Sequence, residues 1–251
     1  MRKVQFANGE YYHIYNRGVD KRDVFLDDED YLRFLTALRE FNTTEPIGSL
    51  YEKNSKFPEA KPPYLRRGLA SGEESDALVE IVCYCLNPNH FHLILKQLQE
   101  KGISKFMLKV STGYTMFFNN KYERSGSLFQ GVFKAIHIDS NEYLLYLSAY
   151  VNGNNFIHGY DKDNDKEAKP PRGGLASENL EWKYCSALDY IGKRNGTLCK
   201  KDVILDQFAD SEFNSAPELN SGKCLKRYAE FLNKNALHLK EKKQLEKYLL
   251  E

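Results

Sequence analysis

Two histidines one residue apart, His90 and His92, sit in the stretch Asn87-Pro88-Asn89-His90-Phe91-His92-Leu93-Ile94-Leu95. Alternate residues of a strand share a face, so a strand here turns both imidazoles to one side and Phe91 to the other. Paired imidazoles are part of a site for a divalent cation. Further along, Tyr146, Tyr150 and Asn154 fall at i, i+4 and i+8, which on a single helix places them one above another. Asn154 then offers a carbonyl oxygen as third ligand to a hard ion, and Tyr150 brings a phenol to its edge. A phenol is almost wholly protonated near neutral pH. Beside a metal that polarises a phosphate, it can attack phosphorus and become a phosphotyrosine. Plainer readings stand beside these: two satisfied histidines on a half-buried strand, and a core tyrosine on an amphipathic helix. A third is a zinc site, because Cys83 and Cys85 alternate as the histidines do and could complete Cys₂His₂ across a hairpin. Structural zinc pairs are usually spaced Cys-x₂-Cys, which disfavours it.

The elements that must position these groups follow from periodicity. Residues 10–17 are aromatic and β-branched and end at Gly18, a first strand. Asp27 and Asp28 are caps for a helix whose apolar face is Tyr31, Phe34, Leu35, Leu38 and Phe41. The apolar run 78–86, the Pro88-Asn89 turn and the histidine stretch read as two strands. Residues 102–121 read as a helix with Phe106, Val110, Tyr114 and Phe117 inward, and 131–138 as a strand. Asp139 or Ser140 then caps the tyrosine helix, with Glu142 placed to close a capping box on Asp139. The order strand, helix, strand, strand, helix, strand predicts an α+β, ferredoxin-like (RRM-like) antiparallel sheet with helices packed on it. Beyond it, 182–192, 201–208 and 222 to the end are expected to be helical. Site-bearing residues 1–160 are expected to form one domain interrupted by a loop at about 43–76. A Pro-rich loop over 161–178 follows, then a mostly helical extension over 179–251. The two loops share words: Glu59-Ala60-Lys61-Pro62-Pro63 returns as Glu167-Ala168-Lys169-Pro170-Pro171, and Gly68-Leu69-Ala70-Ser71 as Gly174-Leu175-Ala176-Ser177. Two copies are not a solenoid; insertion of one repeated element at tolerated surface loops would account for both, and a shared docking peptide is the rival explanation.

Composition narrows the partners. No apolar run approaches the ~20 residues of a membrane span, and the first residues lack the apolar core of a signal peptide. Five cysteines at irregular spacing suit a reduced, cytoplasmic setting. The net charge of +1 does not by itself announce nucleic acid. Between 101 and 138, however, Lys101, Lys105, Lys109, Lys121, Arg124 and Lys134 are opposed by Glu123 alone. That local excess can neutralise phosphates, and the 17 tyrosines and 15 phenylalanines include faces on which unpaired bases can stack.

Taken together, these motifs resemble the single-tyrosine HUH transposases, in particular the REP-associated tyrosine transposases related to small insertion-sequence enzymes. The resemblance rests on His90-Phe91-His92 in its setting, Tyr12-His13-Ile14-Tyr15-Asn16-Arg17-Gly18, Leu128-Phe129-Gln130-Gly131-Val132-Phe133-Lys134-Ala135, residues 143–151 around Tyr150, and residues 189–196. It implies a nuclease that cuts single-stranded DNA, often at the foot of a hairpin, and rejoins it through a 5′-phosphotyrosine. His90, His92 and Asn154 would hold Mg²⁺ or Mn²⁺, and Tyr150 would be the nucleophile. Asn16, Arg17, Lys105, Lys109, Tyr114, Gln130 and Lys134 are the expected DNA contacts, and a homodimer is plausible by analogy. Asn155 stands where the family has Pro, and Gly153 falls inside the tyrosine helix, where glycine costs about 1 kcal/mol relative to alanine. The rival function is a domesticated protein that binds hairpins without cutting them.

Overall fold

Strand β1 (Tyr11–Arg17) lies inside an antiparallel sheet, between β3 (His90–Gln97) and β4 (Lys134–Ile138). With β2 (Val79–Asn87), the sheet order is β2-β3-β1-β4. The computed structural model describes residues 4–48, 50, 76–159, 180–209 and 217–248; the two repeated segments at 59–71 and 167–177 lie outside them. Helices α1 (Asp28–Glu40) and α2 (Gly102–Lys121) complete the expected βαββαβ order. The fold is therefore the α+β, ferredoxin-like sheet that the sequence pattern calls for.

The chain divides into two compact units, Met1–Val82 with Pro88–Asp139 and Gly196–Lys200, and Cys83–Asn87 with Ser140–Asn195 and Lys201–Glu251. This division differs from the expected single domain over 1–160, because the tyrosine helix groups with the C-terminal region.

In the first unit, alternation along the strands sorts the sheet into two faces. Ile14, Phe91 and Leu93 are fully buried. Phe91 meets Phe34 of α1 at 5.0 Å between ring centroids, and Phe34 meets Tyr114 of α2 at 5.1 Å. Asp27 caps α1 by accepting from the Asp30 amide at 3.1 Å, as its position before the periodic run predicts. The inward face of α2 is Ile103, Phe106, Met107, Val110, Tyr114 and Phe118. Phe118, not Phe117, continues it, because the helical period carries the stripe from Val110 through Tyr114 to Phe118. Phe117 instead lies under Arg33 and Lys121.

In the second unit, α3 (Asn141–Asn152) is capped by Ser140, whose hydroxyl accepts from the Tyr143 amide at 3.2 Å. The box expected on Asp139 gives way to this shorter reach. Gly153 ends α3 with φ −90° and ψ −1°, and α4 (Asn154–His158) starts anew. Glycine is required there because a Cβ would stand 2.9 Å from Cβ of Ala236, on the long helix α7 (Pro217–Tyr248). The expected helix over 182–192 shrinks to α5 (Ala187–Tyr190). Residues before it are drawn out along the strand edge, with Leu86 N–H donating to Tyr184 O at 3.0 Å and Ser186 N–H to Tyr84 O at 2.9 Å. Exposed strand groups take partners wherever the chain offers them. Similarly, 201–208 holds only α6 (Asp202–Leu205) and one 3₁₀ turn. Among the described residues, no helix is long and apolar enough to cross a membrane.

Candidate functional site

On β3, His90 and His92 project to one side, as alternation requires, with ring centroids 5.1 Å apart at 86°. The register places Arg17 opposite His90 and Tyr15 opposite His92, and Lys134 of β4 opposite Tyr15. Residues directly opposite in adjacent strands share a face. One side of the sheet therefore gathers both histidines, His13, Tyr15, Arg17 and Lys134. Tyr15 stacks on His92 at 5.7 Å and on His13 at 5.1 Å, and the Lys134 ammonium lies 5.9 Å from the Tyr15 ring centre.

Both histidines are oriented through the same ring atom. His90 Nδ1 is 2.6 Å from Asn89 Oδ1, and His92 Nδ1 is 2.9 Å from His13 Nε2. A cation would then be taken by Nε2 of each, the pattern of ligating imidazoles whose other nitrogen is tied to the protein. His13 was not singled out from the sequence. Burial holds its pKa down, from 6.5 to about 4, so it is neutral near pH 7.

A tight corner sets Arg17 beside His90. Gly18 N–H donates to Asn89 O at 2.9 Å, Val19 N–H to Leu128 O at 3.0 Å, and Gln130 N–H to Arg17 O at 2.8 Å. A Cβ on Gly18 would stand 2.2 Å from Arg22 O, so only glycine permits this approach. Arg17 Nε donates to Gln130 Oε1 at 2.6 Å on the exposed surface. Asn16 braces the corner from behind: its amide donates to Gly131 O at 3.1 Å and its Oδ1 accepts from Arg17 N–H at 2.9 Å. At 5 % exposure it positions Arg17 rather than contacting DNA, which corrects its expected role.

Three further DNA candidates move. Tyr114 is fully buried and its hydroxyl donates to Val24 O. Burial also pushes its pKa far above that of a free phenol, so it is a core residue and not a stacking platform. Lys105 and Lys109 lie on α2, which packs on the Phe91 side of the sheet, away from the histidines. Lys109 Nζ donates to Thr43 O at 2.8 Å; burial, and then Lys105, lower its pKa. The basic helix is thus separate from the histidine face.

In the second unit, Tyr146 is 40 % exposed and Tyr150 half-buried, whereas Asn154 is wholly buried. Asn154 Oδ1 accepts from Asn87 Nδ2 at 2.7 Å, and Asn155 Nδ2 donates to Asn87 Oδ1 at 3.1 Å. Gly153 ends α3 before the third of the i, i+4, i+8 positions, so Asn154 opens α4. Within the second unit, the carbonyl oxygen of Asn154 is thus taken by the Asn87 amide. Arg194, on the stretch 189–196, is structural: it is bidentate to Asp189 at 2.8 and 2.7 Å and donates to Lys183 O and Cys185 O. Among the described residues, no group of three or more His, Cys, Asp or Glu is arranged to hold a metal, so the Cys₂His₂ alternative is not assembled. Burial moreover raises the Cys83 thiol to about 12, opposite to what a thiolate ligand needs.

Residues 69–154, which contain His90, His92 and Tyr150, match the family model described as "Transposase IS200 like". The matched stretch is roughly a third of the chain, and the sheet begins before it, at β1. A solved structure described as "Structure of the REP associates tyrosine transposase bound to a REP hairpin" aligns over 77% of this chain and 86% of that chain, with 13% identity and a TM-score of 0.46. No curated protein matches.

Proposed function

We propose that the protein nicks and rejoins single-stranded DNA at hairpins, with Tyr150 as nucleophile and Mg²⁺ or Mn²⁺ on His90 and His92. The observation that supports this best is the common orientation of the two imidazoles, each tied through Nδ1, inside the stretch that matches the transposase model. Two imidazoles with remaining positions for water and phosphate oxygen suit a weakly held, exchangeable ion. Such an ion supplies Lewis-acid polarisation of the scissile phosphate. Hairpin specificity and the role of Tyr150 come from the sequence resemblance.

In this reading, Arg17 and Lys134 neutralise the backbone of the strand and Tyr15 offers a stacking face. Gln130 fixes the Arg17 fork. Tyr150 Oη forms a bond to phosphorus as the bond from phosphorus to the 3′ oxygen breaks. The phenol proton passes to solvent and the leaving oxygen takes one up. The products are a 5′-phosphotyrosine and a free 3′-hydroxyl. Attack by a second 3′-hydroxyl reverses these bond changes and joins strands without ATP, since one phosphodiester is exchanged for another.

The test is a denaturing gel of the protein with end-labelled hairpin DNA, in Mn²⁺ or EDTA. A covalent adduct that needs Mn²⁺ and vanishes in Tyr150→Phe is expected. An adduct that persists in Tyr150→Phe would move the nucleophile to Tyr146. Retardation on a native gel with no adduct in any metal would make the protein a binder only.

A further inference from the structure

We infer that His13 is a positioning residue for the metal centre: it fixes His92 as the Nδ1–H tautomer and so presents Nε2 of His92 to the cation. The inference rests on the reading of His90 and His92 as ligands and adds to it a third imidazole that does not itself bind the ion.

The argument starts from a proton count. His13 Nε2 and His92 Nδ1 are 2.9 Å apart, so one proton lies between them. If His13 donated it, His92 Nδ1 would be the acceptor, and neutral His92 would carry its proton on Nε2. That nitrogen would then have no lone pair for a metal. If His92 donates it, Nε2 of His92 is the basic nitrogen and His13 is the Nδ1–H tautomer. Only the second arrangement is compatible with a ligand at His92. His90 obeys the same rule more simply, because Asn89 Oδ1, 2.6 Å from His90 Nδ1, is an acceptor only.

The surroundings hold the His13 ring against His92. His13 is 5 % exposed and His92 7 %, and their rings stack at 5.1 Å and 19°. Tyr15 stacks on both. The β1–β3 register sets His13 opposite Ile94, one pair along from Tyr15 and His92 on the same face. The ring therefore reaches His92 diagonally, within the range of such neighbours. Partners of ligating histidines commonly change metal affinity about 10- to 100-fold when removed.

Two measurements test this, both on the full chain. Titration of Mn²⁺ by calorimetry should show binding roughly 10- to 100-fold weaker in His13→Phe, which keeps a stacked ring but has no acceptor. His13→Gln, whose Oε1 can accept from His92 Nδ1, should restore most of it. In the Mg²⁺-loaded wild-type protein, ¹⁵N-imidazole spectra should show His13 as the Nδ1–H tautomer, a readout that needs no variant to fold. Wild-type Mn²⁺ affinity in His13→Phe, or an Nε2–H tautomer at His13, overturns the inference while His92→Ala still abolishes binding. Undiminished Mn²⁺ binding in His92→Ala overturns the metal reading itself, and this one with it.

Discussion

Asn87 Nδ2 donates to Asn154 Oδ1 at 2.7 Å, and neither residue has any solvent exposure. Asn87 also accepts from Asn155 at 3.1 Å, so the end of β2 and the start of α4 meet through three amides that water barely reaches. Removing one partner leaves the other buried and unsatisfied, a loss of about 1–3 kcal/mol. Asn154→Ala is accordingly expected to lower the unfolding free energy by that amount, read as a lower urea midpoint at unchanged slope, while Mn²⁺ affinity stays within about two-fold of wild type. Loss of Mn²⁺ binding at unchanged stability would identify Asn154 as a ligand.

Binding of DNA should separate the two sides of the sheet. Arg17 and Lys134 are exposed on the histidine side, so Arg17→Ala and Lys134→Ala should each weaken hairpin binding and reduce the salt slope by about 0.7–1. Tyr114→Phe deletes only the hydrogen bond to Val24 O. It should cost about 0.5–1.5 kcal/mol of stability and leave the slope unchanged. Fluorescence anisotropy across a salt series reads both; a changed slope in Tyr114→Phe would return that ring to the DNA interface.

Gly18 is the hinge of the corner that carries Arg17. A methyl group there would stand 2.2 Å from Arg22 O and 2.9 Å from Val24 Cγ1, so backbone must move. Overpacking of this kind costs about 1–3 kcal/mol, and the displaced Arg17 should also weaken hairpin binding. Gly18→Ala with wild-type thermal stability and wild-type affinity would show that the corner yields freely.

How far the sequence disclosed the site depends on what sets each residue's place. Alternation along one strand is local, so His90 and His92 could be paired from their spacing, and the β1, β3 and β4 strands from theirs. His13 required the β1–β3 register, which tertiary pairing sets, and so it passed as an ordinary strand residue. The helical argument linking Tyr150 to Asn154 assumed an unbroken helix. Gly153 was visible as a weakness, but its reason, the approach of Ala236, belongs to a helix about eighty residues away. Tyr114 illustrates the opposite case: the period that put it inward was the sounder guide, and the basic residues around it drew it toward DNA. The shortened α5 follows from backbone demand along β2, which no propensity scale sees.

Acid should destabilise the metal-free protein through His13. Its pKa falls from 6.5 to about 4 on folding because burial disfavours the imidazolium. Between those values the unfolded chain holds a proton that the native state does not, so stability falls as the pH falls. The contribution is complete above about 6.5 and exhausted near 4, and amounts to something on the order of 3 kcal/mol. Urea unfolding in EDTA at pH 7, 5.5 and 4.5 should therefore show a steeper loss in wild type than in His13→Gln, which has no group titrating at that position. Parallel pH profiles for the two proteins would mean that His13 is protonated as readily in the folded state as in the unfolded chain, and that its buried ring is not held neutral.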